Sequence, residues 1–406
     1  MSKRHAVALL SALLLSACGS LSPTPEKTAE PAPSCPPCAA CPVCPAPDKP
    51  KPPEFSRTLT EVDWAELPGW RDDDHAAAWP AFMQSCRGLR NRAGGEAWRP
   101  VCAAAAQVDG KSADAVRRFF ESQLVPHRIA SGDGAVDGMV TGYYEPLLQG
   151  SRTRSRQFAQ PVLGVPGDLL TVDLGDLFPE LKGKRVRGRV EGNKVVPYWS
   201  RGELLARGDK LPARTLAYVD DAIELFFLQV QGSGRIRLPD GSLMRVNYAD
   251  QNGHPYRSIG RVLVDRGDLK LEEASMQGIQ AWARANPARL DELLNSNPSY
   301  VFFRETPAND DGPQGALGVP LTAERSIAVD TRSVPLGAPV FLATTRPNSP
   351  QPLQRLVMAQ DVGGAIRGAV RADFFWGFGK EAGALAGRMK QSGRMWVLLP
   401  RGYAPK

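Results

Sequence analysis

Apolar residues recur along the first part of the globular sequence with two different periods. Residues 77–89 (AAWPAFMQSCRGL) and 112–124 (SADAVRRFFESQL) place them every three to four positions, which predicts two amphipathic helices. Ser112 is suited to cap the second of these helices. Residues 138–150 (GMVTGYYEPLLQG) are instead β-branched and aromatic and end in turn-forming residues, which predicts a strand.

The stretch from residue 150 to about residue 265 is mostly strand-like and is interrupted by glycine and proline. Its one clear helical segment is SRGELLARG, in which Ser200 and Glu203 form a capping box and Gly208 suits the C-terminal end. The glycine-rich segment VQGSGRI, residues 230–236, has no βαβ unit around it. It therefore predicts a tight β-turn whose backbone can approach a ligand.

The second half of the chain returns to helices and then to strands. Residues 271–286 (LEEASMQGIQAWARAN) and 287–295 (PARLDELLN) have a helical period, and residues 318–374 are β-rich again. The end predicts a helix, GKEAGALAGRMKQSG, that stops at Gly393, and a last strand over residues 394–400. With no internal repeat, this order indicates a mainly β protein with peripheral helices.

The first twenty residues carry the pattern of a secretion signal. A basic start precedes an apolar run, Ala6 to Leu15, that is too short to span a bilayer. The Leu-Ser-Ala-Cys that ends at Cys18 resembles the bacterial lipobox, in which signal peptidase cuts before the cysteine and the cysteine is lipidated. Gly19 is not the Asp of an inner-membrane retention signal, so we expect a signal peptide over 1–17 and an outer-membrane lipoprotein facing the periplasm. An ordinary cleaved signal peptide is the alternative.

Residues 18–57 are rich in proline and alanine and have no apolar period, which predicts a lipidated tether without a fold. Two CxxC pairs within it are compatible with zinc or iron–sulfur, but the flanking prolines and the oxidising periplasm favour disulfides. These cysteines are Cys35, Cys38, Cys41 and Cys44. The remaining pair, Cys86 and Cys102, lies in globular sequence, where we expect a structural disulfide.

Composition narrows the partners and cofactors of the chain. Its 406 residues are 42% hydrophobic and 23% charged, which is ordinary for a globular protein with room for two domains. A net charge of +7 favours anionic partners, but no basic segment is interleaved with aromatics, so no nucleic-acid partner is expected. The four histidines lack HExxH spacing, and there is no P-loop or dinucleotide fingerprint. Neither a metal site, a Ser-His-Asp triad nor a nucleotide cofactor is therefore expected.

Carboxylates are the remaining candidates for chemistry. Asp330, Asp361 and Asp373 each end an apolar run where a strand meets a loop. An aspartate in such a place commonly forms a turn or caps a helix, but apolar surroundings also raise a carboxyl pKa and keep the group protonated near neutral pH. Asp373 has the strongest such context, because Phe-Phe-Trp follows it directly. It is the candidate general acid, and the rings after it either stack on sugar or belong to the core.

Five segments of the globular chain stand in a recognisable order. They are TGYYEP (141–146), LQVQGSGRI (228–236), NYADQNGHPYRSIG (247–260), NPSYVFFRE (297–305) and the C-terminal block with the three aspartates. In this order they resemble the family of membrane-bound lytic murein transglycosylase A of Gram-negative bacteria. Each segment is weak alone, but the five together are specific. The resemblance extends from about residue 60 to the end of the chain and leaves out the tether.

This resemblance implies a double-psi β-barrel built from both sides of an inserted second β-domain. The implied boundaries are 58–146 and 305–406 for the two parts of the barrel and 147–304 for the insert. A groove between the two domains would hold the glycan strand of peptidoglycan. The implied reaction cleaves the β-1,4 bond between N-acetylmuramic acid and N-acetylglucosamine and leaves 1,6-anhydromuramic acid, with no water consumed and no metal or cofactor. Proteins of this kind often join wall-synthesis complexes.

The resemblance also assigns roles to residues. Asp373 matches the acid, which would protonate the leaving oxygen and then accept the proton of the sugar's C6 hydroxyl. Asp361 and Asp330 match two supporting aspartates. Some members have one residue fewer between the last two aspartates, which concerns the loop between them and not the assignment. The groove would be lined by Thr141, Gly142, Tyr143, Tyr144, Gln231, Gly232, Ser233, Gly234, Gly363, Gly364, Ala365 and Trp376.

Three alternatives to this function remain. A two-acid glycoside hydrolase would use Asp361 and Asp373 together. A non-catalytic lipoprotein would only bind peptidoglycan. Aspartic-protease chemistry is suggested by Asp330-Thr331, but Arg332 replaces the glycine of that motif and the chain has no second copy.

Overall fold

The computed structural model describes residues 55–181, 186–307 and 311–403. The predicted signal peptide, the lipidation site Cys18 and the four tether cysteines lie outside the described residues. Within the three described ranges, no helix combines the length and the apolar character needed to cross a membrane.

The described residues form 17 strands and nine α-helices. The strands are β1 (Arg57–Glu61), β2 (Leu124–Ser131), β3 (Gly138–Glu145), β4 (Leu147–Ser151), β5 (Gln160–Leu163), β6 (Leu170–Thr171), β7 (Arg187–Glu191), β8 (Lys194–Pro197), β9 (Thr215–Val219), β10 (Ser233–Arg237), β11 (Leu243–Gln251), β12 (Val301–Thr306), β13 (Ser326–Val329), β14 (Pro339–Thr345), β15 (Pro352–Asp361), β16 (Arg371–Phe378) and β17 (Lys390–Pro400). The helices are α1 (His75–Leu89), α2 (Arg99–Ala105), α3 (Ala113–Gln123), α4 (Arg201–Arg207), α5 (Ala222–Gln231), α6 (Ile259–Asp265), α7 (Met276–Ala285), α8 (Leu290–Asn295) and α9 (Gly379–Ala386).

Six strands close into a barrel in the order β3–β17–β14–β15–β13–β16, because β3 pairs with both β16 and β17. The pairs β13–β15 and β16–β3 are parallel, and the other pairs of the ring are antiparallel. β2 and β1 continue the sheet beyond β17. One barrel strand, β3, comes far earlier in the chain than the other five. The predicted double-psi β-barrel with an inserted β-domain and peripheral helices is therefore confirmed.

Two further sheets lie between β3 and β13 in the chain. Their strand orders are β12–β11–β10–β4–β9–β5 and β6–β7–β8. The larger sheet buries an apolar face that includes Ile236, Val246 and Phe303. Helices α5 to α8 share a second apolar cluster beside it. The boundaries of the insert, residues 147–304, stay a prediction.

Helix α5 corrects two expectations from the sequence. Its Leu225 and Leu228 pack on the larger sheet, whereas Phe226 packs on the helices α6 to α8. A helix that is buried on both sides has no amphipathic period, so the sequence looked strand-like there. The helix ends at Gly232 with φ of 79°, and β10 starts at the next residue. Residues 230–236 are thus a helix end followed by a strand, and the predicted tight β-turn is wrong.

The predicted helices with local capping signals are confirmed. Ser112 Oγ accepts the N–H of Ala115 at 3.2 Å at the start of α3. Glu203 accepts the N–H of Ser200 at 2.9 Å at the start of α4, and the cap at its other end is Gly208. These bonds satisfy backbone donors that the first turn of a helix leaves free, which is why short sequence signals are sufficient to predict them.

The N-terminal helices pack on the barrel as one layer. Phe82 of α1 and Phe120 of α3 are fully buried in the main core, with ring centroids 5.0 Å apart. A disulfide joins Cys86 of α1 to Cys102 of α2, with Cα atoms 5.6 Å apart. The pair expected from the sequence is therefore bonded in the structure.

The C-terminal end differs from its prediction. Helix α9 ends at Ala386, not at Gly393, and the last strand begins at Lys390 instead of residue 394. Residues 390–393 pair with residues 138–141 of β3, which closes the barrel. The hydrogen bonds to a strand about 250 residues away override the local helical pattern, because they satisfy the backbone of both strands at once.

Candidate active site

Four residues form one row across neighbouring barrel strands. The strand registers align Asp361 with Ala328, Ala328 with Asp373, and Asp373 with Thr141. Because adjacent strands lie about 4.8 Å apart, the Cα atoms of the two aspartates are about 10 Å apart. Two carboxylates that are twelve residues apart in the chain are thus separated by a single strand.

The row lies on the face of the barrel wall opposite the main core. Along β16, Phe374 and Trp376 belong to the main core, whereas Phe375 belongs to a small separate cluster. Strand residues alternate between faces, so Asp373 shares the face of Phe375. Tyr143 of β3 and Ala328 are in the same small cluster, and the Tyr143 and Phe375 ring centroids are 5.1 Å apart. This apolar floor lowers the polarity around both aspartates.

Asp373 is half-buried and bonded by a hydroxyl. Thr141 Oγ1 donates to Asp373 Oδ1 at 2.5 Å. Burial raises the pKa of Asp373, while the Thr141 hydrogen bond and the nearby charge of Arg371 oppose that rise only in part. The carboxyl therefore stays protonated to a higher pH than an ordinary aspartate, as a general acid requires.

Asp361 is also half-buried, but both of its carboxylate oxygens have protein partners. Oδ1 accepts the N–H of Ala316 at 2.9 Å, and Oδ2 accepts the O–H of Tyr143 at 3.1 Å. Burial raises the pKa of Asp361 to about 6 in spite of these bonds. Burial and the two nearby carboxylates raise the pKa of Tyr143 well above its ordinary value, so this phenol remains a donor.

Asp330 lies outside the row and has a different environment. It is fully buried and accepts hydrogen bonds from Arg332 Nη2 at 2.6 Å and from the N–H of Gly368 at 2.9 Å. Burial raises its pKa, but these bonds outweigh burial and the net pKa is lowered. The expectation that apolar surroundings raise this pKa is therefore wrong for Asp330. Asp330 therefore links the loop that contains Arg332 to the loop that contains Gly368, which is a role in stabilising the fold.

Several predicted groove residues belong to the core. Trp376 is 4% exposed and its Nε1–H donates to Met389 Sδ at 3.2 Å, so it cannot stack on a sugar and that prediction is wrong. The ring packs against Phe374 instead. Gly142 lies beside this ring, and Tyr144 is buried in the same core. Of the residues predicted in TGYYEP, only Thr141 and Tyr143 belong to the face that carries Asp373.

The two glycine-rich segments are placed differently from each other. Ser233 and Gly234 are buried at the start of β10, so they do not line a groove. Gln231 Oε1 accepts the N–H of Tyr144 at 3.1 Å, which ties the end of α5 to β3 next to the site. Gly232 follows at the helix end and is half-buried. Residues 363–365 begin two positions after Asp361, and Gly364 and Ala365 are exposed there.

A return loop, residues 311–319, leads back from the insert and reaches the site. Asn247 Nδ2 donates to the carbonyl of Gln314 at 3.1 Å, and Arg304 Nη2 donates to the Gln314 side chain at 2.9 Å. Ala316 of the same loop donates to Asp361. The insert thereby determines where a hydrogen-bond donor of Asp361 lies.

Two site contributors were missed in the sequence. Arg371 precedes Asp373 by two positions, so strand alternation places it on the same face, and this signal was available. Ala316 contributes only its backbone N–H, which any residue except proline could supply. No sequence signal could have identified it.

Known proteins resemble this chain in sequence and in structure. Family models match the MltA specific insert domain over residues 139–304 and the 3D domain over residues 325–399. Membrane-bound lytic murein transglycosylase A of Escherichia coli K12 is 38% identical over 266 residues, and this match spans 64% of either chain, just under two thirds of that relative's length. The crystal structure of MltA from Neisseria gonorrhoeae is 42% identical with a TM-score of 0.76, covering 87% of this chain and 96% of that chain. Escherichia coli MltA with bound chitohexaose is 30% identical with a TM-score of 0.61, covering 86% and 95%.

Proposed function

This chain belongs to the membrane-bound lytic murein transglycosylase A family, and from this premise we propose that it is a lytic transglycosylase of peptidoglycan. Its substrate is the glycan strand, cleaved at the β-1,4 bond between N-acetylmuramic acid and N-acetylglucosamine. The chitohexaose complex of the Escherichia coli relative supports a β-1,4-linked glycan as the ligand. The products are a strand that ends in 1,6-anhydromuramic acid and a strand that begins with a free 4-hydroxyl.

In the proposed mechanism a single carboxyl acts twice. Protonated Asp373 gives its proton to the glycosidic oxygen as the bond from that oxygen to C1 breaks. The C6 hydroxyl of the same N-acetylmuramic acid attacks C1 and gives its proton to the Asp373 carboxylate. Asp373 is then protonated again, and no water is consumed. Because the attacking hydroxyl belongs to the reacting ring, its effective concentration is high without a second catalytic group.

One observation carries this proposal: the free oxygen of Asp373. Among the described residues nothing bonds Asp373 Oδ2, while Oδ1 accepts from Thr141. Both oxygens of Asp361 already accept hydrogen bonds from the protein. Asp373 can therefore exchange a proton with a ligand, whereas Asp361 is committed to the return loop and to Tyr143. This difference favours a one-acid reaction over a two-acid hydrolase, which needs two available carboxylates.

The test is digestion of purified sacculi followed by mass spectrometry of the ends. The wild-type protein should give anhydro ends, and Asp373→Asn should lower turnover by about 10²- to 10⁴-fold, the usual contribution of general acid–base catalysis. Sacculus binding should be retained, because the substitution preserves shape. Asp137→Asn, at an aspartate that pairs with the half-exposed Arg394, is the matched control and should leave turnover unchanged.

Each other outcome of this digestion has a definite meaning. Reducing ends from the wild-type protein would identify a hydrolase and contradict the proposal. Full activity of Asp373→Asn would show that the acid is another residue. Sacculus binding without any cleavage would identify a non-catalytic binder.

Membrane attachment through a lipid on Cys18 is part of the same proposal. The Leu-Ser-Ala-Cys run and the membrane-bound relatives support it. In cells, Cys18→Ser should move the protein from the outer-membrane fraction to the soluble periplasmic fraction, because the tether then lacks acyl chains. Retention of that variant in the membrane fraction would contradict the lipid anchor.

A further inference from the structure

A chain of two hydrogen bonds runs from Arg371 through Thr141 to Asp373. Arg371 Nη2 donates to Thr141 Oγ1 at 2.9 Å, and Thr141 Oγ1 donates to Asp373 Oδ1 at 2.5 Å. We propose that Arg371 is a positioning residue that, through the Thr141 hydroxyl, keeps the acid proton of Asp373 on Oδ2. This inference rests on the proposed function, because it concerns the acid of that reaction.

Arg371 is held in one place by its other contacts. Its side chain is buried, and Nη1 donates to the backbone carbonyl of Met139 on β3 at 3.3 Å and to the carbonyl of Ala372. Among the described residues it makes no direct ion pair with a carboxylate. A guanidinium fixed by two strands can hold a hydroxyl in one orientation, since its N–H groups form a rigid fork.

The direction of the Thr141 hydroxyl follows from its donor and acceptor capacity. A threonine hydroxyl has one proton and two lone pairs, whereas an arginine guanidinium only donates. Arg371 occupies one lone pair of Oγ1, and among the described residues the one acceptor that Oγ1 contacts is an oxygen of Asp373, so the hydroxyl proton points to that oxygen. Asp373 Oδ1 is that acceptor, and the 2.5 Å separation is typical of a hydroxyl bonded to a carboxylate.

This direction decides which oxygen of Asp373 carries the acid proton. A proton on Oδ1 would meet the proton of the hydroxyl, so Oδ1 remains an acceptor in both protonation states. The acid proton therefore lies on Oδ2, which no described residue bonds. If Arg371 were absent, the hydroxyl could turn and accept a proton from Asp373, and the acid would point at Thr141 and away from the ligand.

Other titratable or charged groups near Asp373 also affect how its protonation depends on pH. Tyr143 on β3 and Asp361 on β15 are the titratable neighbours on the same face, and Lys390 of β17 stands opposite Thr141 in the strand register. β13 contributes the apolar Ala328 at this point. Helix α9 packs on the other face of β3 and β16, so its charges do not face the carboxyl. Arg371 is therefore the cation whose removal should change the titration of Asp373 most.

The experiment compares the pH dependence of anhydro-end formation in the wild type and in Arg371→Met. Loss of the cation should raise the pKa of Asp373, so the alkaline limb of the profile should move to higher pH. Turnover below that limb should fall about tenfold, because part of the acid is misdirected. Arg371→Lys keeps the charge but not the fork, so its alkaline limb should stay near that of the wild type while turnover recovers only in part.

A double-mutant cycle tests whether Arg371 acts through Thr141. In Thr141→Val the hydroxyl is missing, so adding Arg371→Met should lower turnover by less than about twofold, instead of the about tenfold loss expected in the wild-type background. Twofold is about the margin within which the effects of independent sites add, so a loss this small shows that the two residues are coupled. Thr141→Ser keeps the hydroxyl and should leave the alkaline limb in place. Arg394→Met is the matched control, since Arg394 is a half-exposed arginine on β17 that pairs with Asp137. Its profile should equal that of the wild type.

The outcomes separate this inference from the proposed function. An alkaline limb that does not move in Arg371→Met, or turnover losses that simply add in the cycle, would overturn the positioning role. Should Arg371→Met fail to bind sacculi or to melt cooperatively, Arg371→Lys with the Thr141→Val cycle decides by the same criteria. If the wild-type protein forms no anhydro ends at all, the proposed function itself fails.

Discussion

At the scale of single residues, the protonation of each aspartate follows from the charge of its direct donors. Burial raises the pKa of Asp330, yet a direct cationic partner, Arg332, and a backbone N–H reverse that effect. Asp361 and Asp373 are bonded by neutral donors, a backbone amide and hydroxyls, and burial prevails. A neutral hydrogen bond stabilises a carboxylate less than a charge-assisted one. Of these three aspartates, Asp361 and Asp373 have no directly bonded cation, and they are therefore the two suited to hold a proton near neutral pH.

Asp361→Asn should stabilise the fold at neutral pH but not in acid. The pKa of Asp361 is about 6 in the native protein and 3.8 as its ordinary value, so the native state binds the extra proton between these values. Stability from this group is thus complete below about pH 4 and is lost as pH rises through about 6. At pH 7 the variant should be more stable by about 1–3 kcal/mol. Urea unfolding at pH 4 and pH 7 measures both differences.

Asp330→Asn is the counterpart with the opposite sign. Because the native pKa of Asp330 is lowered, its carboxylate contributes stability above the ordinary pKa, and that stability is lost as pH falls through the native value. This variant should therefore be less stable than the wild type at pH 7. Equal effects of the two substitutions at pH 7 would contradict the opposite pKa shifts of Asp330 and Asp361.

At the scale of elements, strand β16 separates the site from the core by alternation. Asp373 and Phe375 lie on one face, and Phe374 and Trp376 lie on the other. Helix α9 covers the core side, and it approaches β3 closely because Gly142 has no side chain. A Cβ on Gly142 would lie 2.7 Å from Trp376 Nε1 and 3.0 Å from Ala386 Cα. The glycine thus sets the distance between α9 and the strand that carries Thr141.

Gly142→Ala should destabilise the protein by about 1–3 kcal/mol, because an added methyl group in a closed core forces its neighbours to move. The midpoint of urea unfolding measures the effect. Gly364→Ala is the matched control, since a Cβ there would meet open space and its φ is not positive. Its stability should be unchanged or slightly higher. Equal midpoints for both variants would show that α9 can shift to accept the methyl group.

At the scale of the whole molecule, a buried charge cluster joins the barrel to the insert. Glu145, at the end of β3, has no exposed surface and accepts from Arg235 Nε and Arg245 Nε, each at 3.0 Å. Both arginines also donate to the backbone carbonyl of Asp311, at the start of the return loop. The same loop continues to Gln314 and Ala316 and so to Asp361. One short segment thus contacts both the arginines of the insert and Asp361 of the site.

Glu145→Gln should lower the free energy of unfolding by about 3 kcal/mol or more. The substitution removes the negative charge between two nearly buried arginines, and an unpaired buried charge is costly. Urea unfolding at pH 7 measures the change. Glu305→Gln is the control, because Glu305 pairs with Arg152 at the surface with side-chain exposures of 37% and 48%. Its effect should stay below about 1 kcal/mol, and a similar loss in both variants would contradict the argument.

Features that depend on neighbouring residues could be predicted from the sequence. The caps at Ser112 and Glu203 follow from local hydrogen bonds, and the β-branched runs follow from strand preferences. The order of five segments determined the family and the barrel with its insert. Asp373 was identified as the candidate acid from the apolar residues that follow it in the chain, and one of these, Phe375, shares its face of β16 in the fold.

The tertiary structure alone decided which of these residues meet. Asp361 and Asp373 share a row because of strand register, and the assignment of Trp376 to the core depends on which face of a closed barrel it occupies. Helix α5 is apolar all round because a sheet and three helices cover it. Lys390 to Gly393 form a strand because β3 offers free backbone groups there. In each case the deciding partner lies far away in the chain, and its contribution exceeds the local preference.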